Sequence, residues 1–412
     1  MAIITGSGLL FSTNDSYDRI TGTSSSDTVL YTSATHGVTV SLSLAGGQST
    51  GGSFFDELIS IENIIATSFN DTLQGSSGNN ILDGGLGIDT VSYSNAATGV
   101  SVSLNIAGPQ ATGAGSDTLV NFENIIGSNF ADTLTGSNAV NNVLSGGSGN
   151  DLLVATSGND VLDGGLDADT ASYSSFSTKI TLEAFGVVNK GSAGIDQLFN
   201  VERIIAGSAI DDTIDLSGAS VAPATGTSTN LTLGEVMVSG AGGSPFLSFK
   251  VSQFENVTGT SFADTILGNS ANNVLKGGGG ADFIRGGGGK DTLKGEAGLD
   301  TFDFTSLSDS LLANYDTITD YSLGETLNRP GAGSTLNAIT GPTLTSLTAS
   351  NIAGALNALT FTANSSRAFK VSTFAGTFIA FNDAVAGFNA ASDSIIFLQN
   401  YNVSSTNTVL IA

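Results

Sequence analysis

The 412-residue chain has no cysteine, no tryptophan, two methionines, five prolines and one histidine, His36. Without cysteine it can build neither a disulfide framework nor thiolate metal sites. A single histidine leaves little scope for a zinc enzyme or a His-based proton shuttle. Only 12 residues are Lys or Arg against 37 Asp or Glu, a net charge of −25. Nucleic acid and anionic membranes need clustered Lys and Arg, so neither is expected as a partner. There is no run of about 18 apolar residues, so no membrane span is expected. The opening Met1-Ala2-Ile3-Ile4-Thr5-Gly6 has neither the basic nor the apolar stretch of a secretory signal peptide.

What the chain has in abundance is glycine, 54 residues of it, with 40% hydrophobic residues, too many for a disordered acidic tail. It also repeats itself. Asp27-Thr28-Val29-Leu30-Tyr31, Asp89-Thr90-Val91-Ser92-Tyr93 and Asp169-Thr170-Ala171-Ser172-Tyr173 are three copies of one segment. Each precedes an alternating run, such as Val38-Thr39-Val40-Ser41-Leu42, whose period of two reads as a strand. Short acidic-apolar boxes follow around Glu62, Glu123, Glu202 and Glu255. One long module is therefore used about four times. The division expected is an N-terminal β segment over 1–61, modules with inserted strands over 62–200, and a degenerate module over 201–254. A Gly-Asp array over 255–302 and a distinct C-terminal region over 303–412 complete it.

A nine-residue step runs through the chain. From Glu62 it reaches Asp71, Asn80 and Asp89; from Glu123 it reaches Asp132 and, after a one-residue slip, Asn142, Asp151, Asp160 and Asp169. From Glu255 it reaches Asp264, Asn273, Asp282, Asp291 and Asp300. An apolar residue stands two positions after each step, and Gly-rich stretches such as Gly277-Gly278-Gly279-Gly280 and Gly286-Gly287-Gly288-Gly289 precede the Asp. A three-residue strand with one apolar side chain cannot form a core alone. Stacked at the β spacing, the apolar residues become a continuous column.

This nonapeptide, G-G-x-G-x-D-x-U-x, resembles that of the RTX (hemolysin-type) calcium-binding repeat family. The resemblance implies a mostly β fold of right-handed parallel β-roll or β-solenoid modules, two nonapeptides to a coil. It places calcium ligands at Asp71, Asp89, Asp132, Asp151, Asp160, Asp169, Asp264, Asn273, Gly277, Gly279, Asp282, Gly286, Gly288, Asp291 and Asp300. The chemistry agrees. Stacking sets Asp282 over Asp300, Asn273 over Asp291 and Asp151 over Asp169, and unscreened carboxylates there repel by a few kcal/mol at an effective dielectric of about 20. An all-oxygen donor set without His or Cys suits a hard cation, and a flexible cage of carbonyls and carboxylates suits Ca2+ better than Mg2+. The turns before Asn80 and Asn273 carry amides in place of carboxylates, Thr156-Ser157-Gly158 lacks the leading glycines, and Asp167 replaces a turn glycine. After Glu202 the ladder ends, so no full site is expected there, and 217–230 reads as loop.

Beyond Phe304 the pattern changes. The stretch 327–345 reads as loop. A helix over 348–359 with Ser350 as N-cap, then strands at 368–372, 377–381 and 394–398, predict a small Phe-rich α+β domain. The run Phe378-Ile379-Ala380-Phe381-Asn382-Asp383, with Gly387-Phe388 and Ser392-Asp393-Ser394-Ile395-Ile396, resembles the bluetail domain of surface proteins. RTX proteins leave the cell by type I secretion through an uncleaved C-terminal signal, and the apolar tail 407–412 fits that route. No enzyme is expected. H-E-x-x-H is missing, and Gly47-Gln48-Ser49-Thr50-Gly51 lacks the strand-turn-helix setting of a nucleophile elbow. His36 reads as a turn residue. The expectation is a secreted, extracellular calcium-binding protein with a structural role at the cell surface: a surface layer, coat or matrix scaffold. It would self-associate or hold a surface glycan or outer-membrane component. The alternatives are an adhesion or glycan-binding module, or the non-catalytic calcium and secretion part of an enzyme.

Overall fold

A computed structural model describes residues 2–5, 10–12, 18–23, 26–50, 55–219, 226–239, 245–329, 343–357, 362, 364–383, 385–402 and 410–411. The chain forms two compact units, Met1–Thr178 with Gly186–Ser208, and Lys179–Phe185 with Ala209–Ala412.

Both units are built from short parallel strands whose central side chains stack in columns. In the second unit, strands Asn256–Thr258, Val274–Gly279, Thr292–Ala297 and Asp316–Ile318 pair in order, and Val257, Leu275, Leu293 and Ile318 align. Strands Thr265–Leu267, Phe283–Arg285, Thr301–Asp303 and Thr326–Asn328 form the other sheet, with Ile266, Ile284, Phe302 and Leu327 in line. Successive nonapeptides thus alternate between two sheets, and all eight of these side chains are at most 1% exposed. Each buried Leu, Ile or Phe contributes about 1.5–3 kcal/mol through the water it leaves.

The first unit repeats the scheme. Leu73, Val91, Ile125, Leu144, Leu162 and Leu198 make one column, and Val102, Leu134, Leu153, Ala171 and Ile204 another. The mostly β, parallel-roll architecture is the one the nonapeptide period requires.

The segment read as loop at 217–230 contains a strand, Thr227–Asn230, which pairs in parallel with Thr265–Leu267 and antiparallel with Glu235–Ser239. Its alternation of Thr and small polar residues hides it, because Thr229 fills the column position an aliphatic residue takes elsewhere. Residues 220–225 lie outside the described residues. Likewise 327–345 includes the strand end at Asn328 and the strand Thr343–Leu344, while 330–342 lie outside the described residues.

The C-terminal helix spans Ala349–Asn357. Its N-cap is Thr348 rather than Ser350: the Thr348 hydroxyl accepts the Asn351 N–H at 3.3 Å. Ile352 and Leu356 are buried with Phe369, Phe378 and Phe397, while Leu359 lies outside the described residues. Strands Ser366–Val371, Gly376–Phe381 and Ser394–Gln399 form an antiparallel meander. Its last strand then pairs in parallel with Asp316–Ile318, so this α+β part continues the sheet of the roll. Leu410–Ile411 pairs with Thr326 and Leu327; the rest of the tail, 407–409 and 412, lies outside the described residues.

Ile284 sits between Ile266 and Phe302 with no exposed surface. Ile284→Ala is expected to cost about 2–5 kcal/mol in urea unfolding. Val274→Ala, at a side chain 40% exposed, is expected to cost under about 0.5 kcal/mol.

Candidate metal centre

Each ladder Asp stands immediately before a strand, of three residues in most coils and of six after Asp160 and Asp291. One carboxylate oxygen, Oδ1, accepts a backbone N–H from the coil before it. Asp264 N–H donates to Asp282 Oδ1 at 2.8 Å, and Asp282 N–H to Asp300 Oδ1 at 2.9 Å. Asn273 N–H donates to Asp291 at 2.8 Å, Asp151 N–H to Asp169 at 2.8 Å, Asp132 N–H to Asp151 at 2.8 Å and Asp71 N–H to Asp89 at 2.7 Å. The stacked pairs of the sequence ladder are therefore brought together, and each Oδ1 ties one coil to the next.

The second oxygen has a different fate. Oδ2 of Asp89, Asp151, Asp169, Asp282, Asp291 and Asp300 is buried with no hydrogen-bond partner. An unsatisfied buried carboxylate oxygen is costly, so these six atoms demand an electropositive neighbour. The space beside them is kept open by the first glycine of each turn. A Cβ at Gly277 would lie 2.1 Å from Asp282 Oδ2 and 2.8 Å from the Gly295 carbonyl oxygen. At Gly146 it would meet Asp151 Oδ2 at 2.1 Å and Gly164 O at 2.5 Å; at Gly286 it would meet Asp291 Oδ2 at 2.2 Å. Carboxylate and carbonyl oxygens thus converge where only glycine fits. Among the described residues no group of three or more His, Cys, Asp or Glu side chains converges. The donor set is therefore one of backbone carbonyls with few carboxylates, which fits Ca2+.

Gly277 and Gly286 border this cradle. At Gly279 and Gly288 a Cβ would have more room, with the nearest atom 3.2 Å away at Gly279 and 3.7 Å away at Gly288. Their neighbours shape the turn instead, since Gly278, Gly280, Gly287 and Gly289 all have φ between 90° and 107°, where a side chain is strained.

The remaining ladder residues have their oxygens filled. Thr67, Ser128 and Thr260 each stand four residues before an Asp, and their N–H groups reach Oδ2 of Asp71, Asp132 and Asp264 at 2.8, 2.5 and 2.6 Å. Their hydroxyls bond the same carboxylates. Asn273 accepts the Asn269 N–H and donates its amide to the Glu255 carbonyl at 2.6 Å, and Asn80 and Asn142 do likewise with Glu62 and Glu123. Asp160 faces Thr156 and the buried Lys190.

Two features carry roles that the sequence patterns alone did not reveal. The glutamates of the boxes cap the ladder across long insertions: Glu62, Glu123, Glu202 and Glu255 accept the N–H of Asp27, Asp89, Asp169 and Asp212 at 2.8–3.1 Å. The tyrosines of the repeated segment face buried carboxylates, with Tyr31 and Tyr93 hydroxyls 3.2 Å from Asp56 and Asp117. Their signal was present: the box Glu and the Tyr recur at fixed places in each module. Asp316, outside the Gly-Asp turns, also ends the ladder with a buried, unpartnered Oδ2.

Burial pushes the carboxyls of Asp89, Asp151, Asp282 and Asp291 up to about 7, with neighbouring carboxylates adding to the shift. Asp316 is pushed to about 9 for the same reasons, and Asp169 and Asp300 are raised as well.

The RTX calcium-binding nonapeptide repeat matches the chain four times, at residues 60–91, 137–171, 258–293 and 277–311. A comparison with curated proteins returns no match. The matched segments contain Asp89, Asp151, Asp169, Asp282, Asp291 and Asp300, the six nine-residue-ladder aspartates whose Oδ2 is bare. The chain is a β-roll repeat protein. Its hemolysin-type repeats are calcium-binding, and Ca2+ is the ion they take.

Two outcomes are expected. By calorimetry, Asp282→Ala or Asp291→Ala takes up less calcium than wild type, whereas Asn80→Ala stays close to it; equal losses would overturn the distinction between bare and filled rungs. The second concerns pH. A carboxyl whose pKa is higher folded than unfolded favours folding below its unfolded value, near 4, and loses that contribution as pH rises through about 7. Calcium-free protein is thus expected to melt at a lower temperature at pH 8 than at pH 5, and saturating calcium to abolish that fall.

Proposed function

We propose that this calcium-binding β-roll protein is secreted and that extracellular calcium folds it into a structural, non-catalytic element of the cell surface. The six bare Oδ2 atoms in glycine cradles carry the reading. Their negative charge, within a chain of −25, opposes compaction until cations are bound. RTX repeats are typical of secreted proteins. Among the described residues no helix is long and apolar enough to cross a membrane. Affinities of about 10⁻⁴–10⁻³ M, the range of extracellular calcium modules, would leave the calcium rungs open in the cytosol and closed outside. That difference suits type I export of an unfolded chain. Region 303–412, with its bluetail resemblance, is the part assigned to export and surface attachment. A spiral cross-linked by ions at successive rungs suits a surface layer, coat or matrix scaffold.

Circular dichroism tests the folding step. The β signal is expected to grow at about millimolar calcium and to fall with EGTA. Identical cooperative unfolding in both conditions would end the reading. For the surface role, electron microscopy should show ordered sheets or filaments only with calcium. Monomers that instead bind defined sugars on a glycan array would point to adhesion.

A further inference from the structure

The first unit contains one corner three times over. A tyrosine (Tyr31, Tyr93 or Tyr173) faces a buried aspartate (Asp56, Asp117 or Asp196). Strand pairing sets a ladder residue against that aspartate: Asp18, Asn80 or Asp160. A third residue, five or six positions before the aspartate, completes it: Thr50, Thr112 or Lys190.

In the second corner the partners of Asp117 are neutral. Thr112 Oγ1 donates to Asp117 Oδ2 at 2.8 Å, and the Asn80 N–H donates to Oδ1 at 3.0 Å. In the third corner two of these residues differ together. Asp160 stands where Asn80 stood, adding a carboxylate, and Lys190 stands where Thr112 stood, adding an ammonium. The net charge of the corner stays at one negative unit. Internal repetition therefore supplies a charge-compensated pair of substitutions on one backbone frame.

The Lys190 ammonium is fully buried. It donates to Asp196 Oδ1 and, at 2.7 Å, to the Thr156 carbonyl oxygen, and lies 3.4 Å from Asp160 Oδ2. The Phe176 ring stands 5.7 Å away. Its neighbours are carboxylate and carbonyl oxygens, the same donor types that converge in the glycine cradles. No leading Gly-Gly pair precedes Asp160, so the turn there has no cradle of that kind.

We propose that Lys190 is a tethered cation that does for the Asp160–Asp196 rung what a metal ion does in the Gly-rich turns, closing this coil without calcium. The proposal rests on the calcium reading of the other rungs. An amine supplied by the chain itself is present at the same effective concentration inside and outside the cell. Residues 156–163 and 187–198 then form a segment whose order does not follow the calcium concentration, while 277–303 follows it.

Hydrogen exchange of the full-length protein in EGTA tests this. Wild-type amides in 156–163 and 187–198 are expected to stay protected when those of 277–303 do not. Lys190→Met leaves two buried carboxylates without their cation and should speed exchange there by about a hundredfold or more. The double variant Asp160→Asn/Lys190→Thr rebuilds the second corner's pair and should recover most of the protection. The proposal is overturned if Lys190→Met exchanges like wild type. It is equally overturned if wild-type 156–163 opens in EGTA together with 277–303, or if the double variant is no better than the single one. Failure of the calcium reading has its own mark, since 277–303 would then stay protected in EGTA and calorimetry would show no calcium uptake.

Discussion

A carboxylate has two oxygens, and in these coils the strand-to-strand geometry supplies an N–H to one of them. The ladder aspartates use Oδ1 to receive the N–H of the coil before, at 2.7–2.9 Å. The other oxygen is turned into a tight bend under the next coil, away from water. What satisfies it decides the character of each rung. A hydroxyl and an N–H four residues earlier do so for Asp71, Asp132 and Asp264. An amide replaces the charge at Asn80, Asn142 and Asn273, and an ammonium stands by at Asp160. At Asp89, Asp151, Asp169, Asp282, Asp291 and Asp300 no group of the chain answers, and the oxygen is left for a cation to meet. The roll is thus a sequence of solutions to one electrostatic problem, and only some of them involve metal.

Much of this architecture was legible in the linear order of residues. A period of nine, with one apolar residue two places after each acid, leaves no other economical way to bury Leu275, Ile284, Leu293 and Phe302. The position of the cradle was legible too, through glycines that cannot carry a Cβ. What stayed hidden was the assignment of hydrogen-bond donors. Thr260 and Asp264 look like any spacer and acid until the turn folds their groups together, because a saturated and a bare carboxylate are spelled with the same residue. Lys190 is hidden for a related reason: it arrives from a hairpin thirty residues after Asp160, and contacts between distant segments leave no local period. The strand Thr227–Asn230 escaped notice because β-branched Thr229 fills a column position normally marked by an aliphatic side chain.

The same reasoning places calcium dependence unevenly along the chain. The rungs at Asp71, Asp132 and Asp264, closed by hydroxyls, carry no bare Oδ2, and neither does Asp160 beside the lysine. Among the rungs with bare oxygens, burial pushes the carboxyls of Asp89, Asp151, Asp282 and Asp291 to about 7, so in calcium-free neutral solution these sit between protonation and repulsion. A chain with both kinds can hold part of its order before the ions arrive, which shortens the path to the full spiral once they do.

The imperfect turns support this view of the ions. Asp167 and Glu296 occupy glycine positions with φ of 83° and 68°, a conformation that costs a side-chain-bearing residue about 1–2 kcal/mol. Both substitutions also add a negative charge beside carboxylates that are already crowded: Asp167 acts on Asp151 and Asp169, and Glu296 on Asp282. In a metal-free turn, backbone strain and like-charge repulsion would add, offset only in part by the Gly149 N–H on Asp167 at 3.2 Å and by the Lys294 ammonium on Glu296 at 2.7 Å. With a divalent cation in the cradle the added charge becomes favourable and opposes the strain. An acid in the place of a glycine at these two positions is therefore in keeping with turns shaped around a cation.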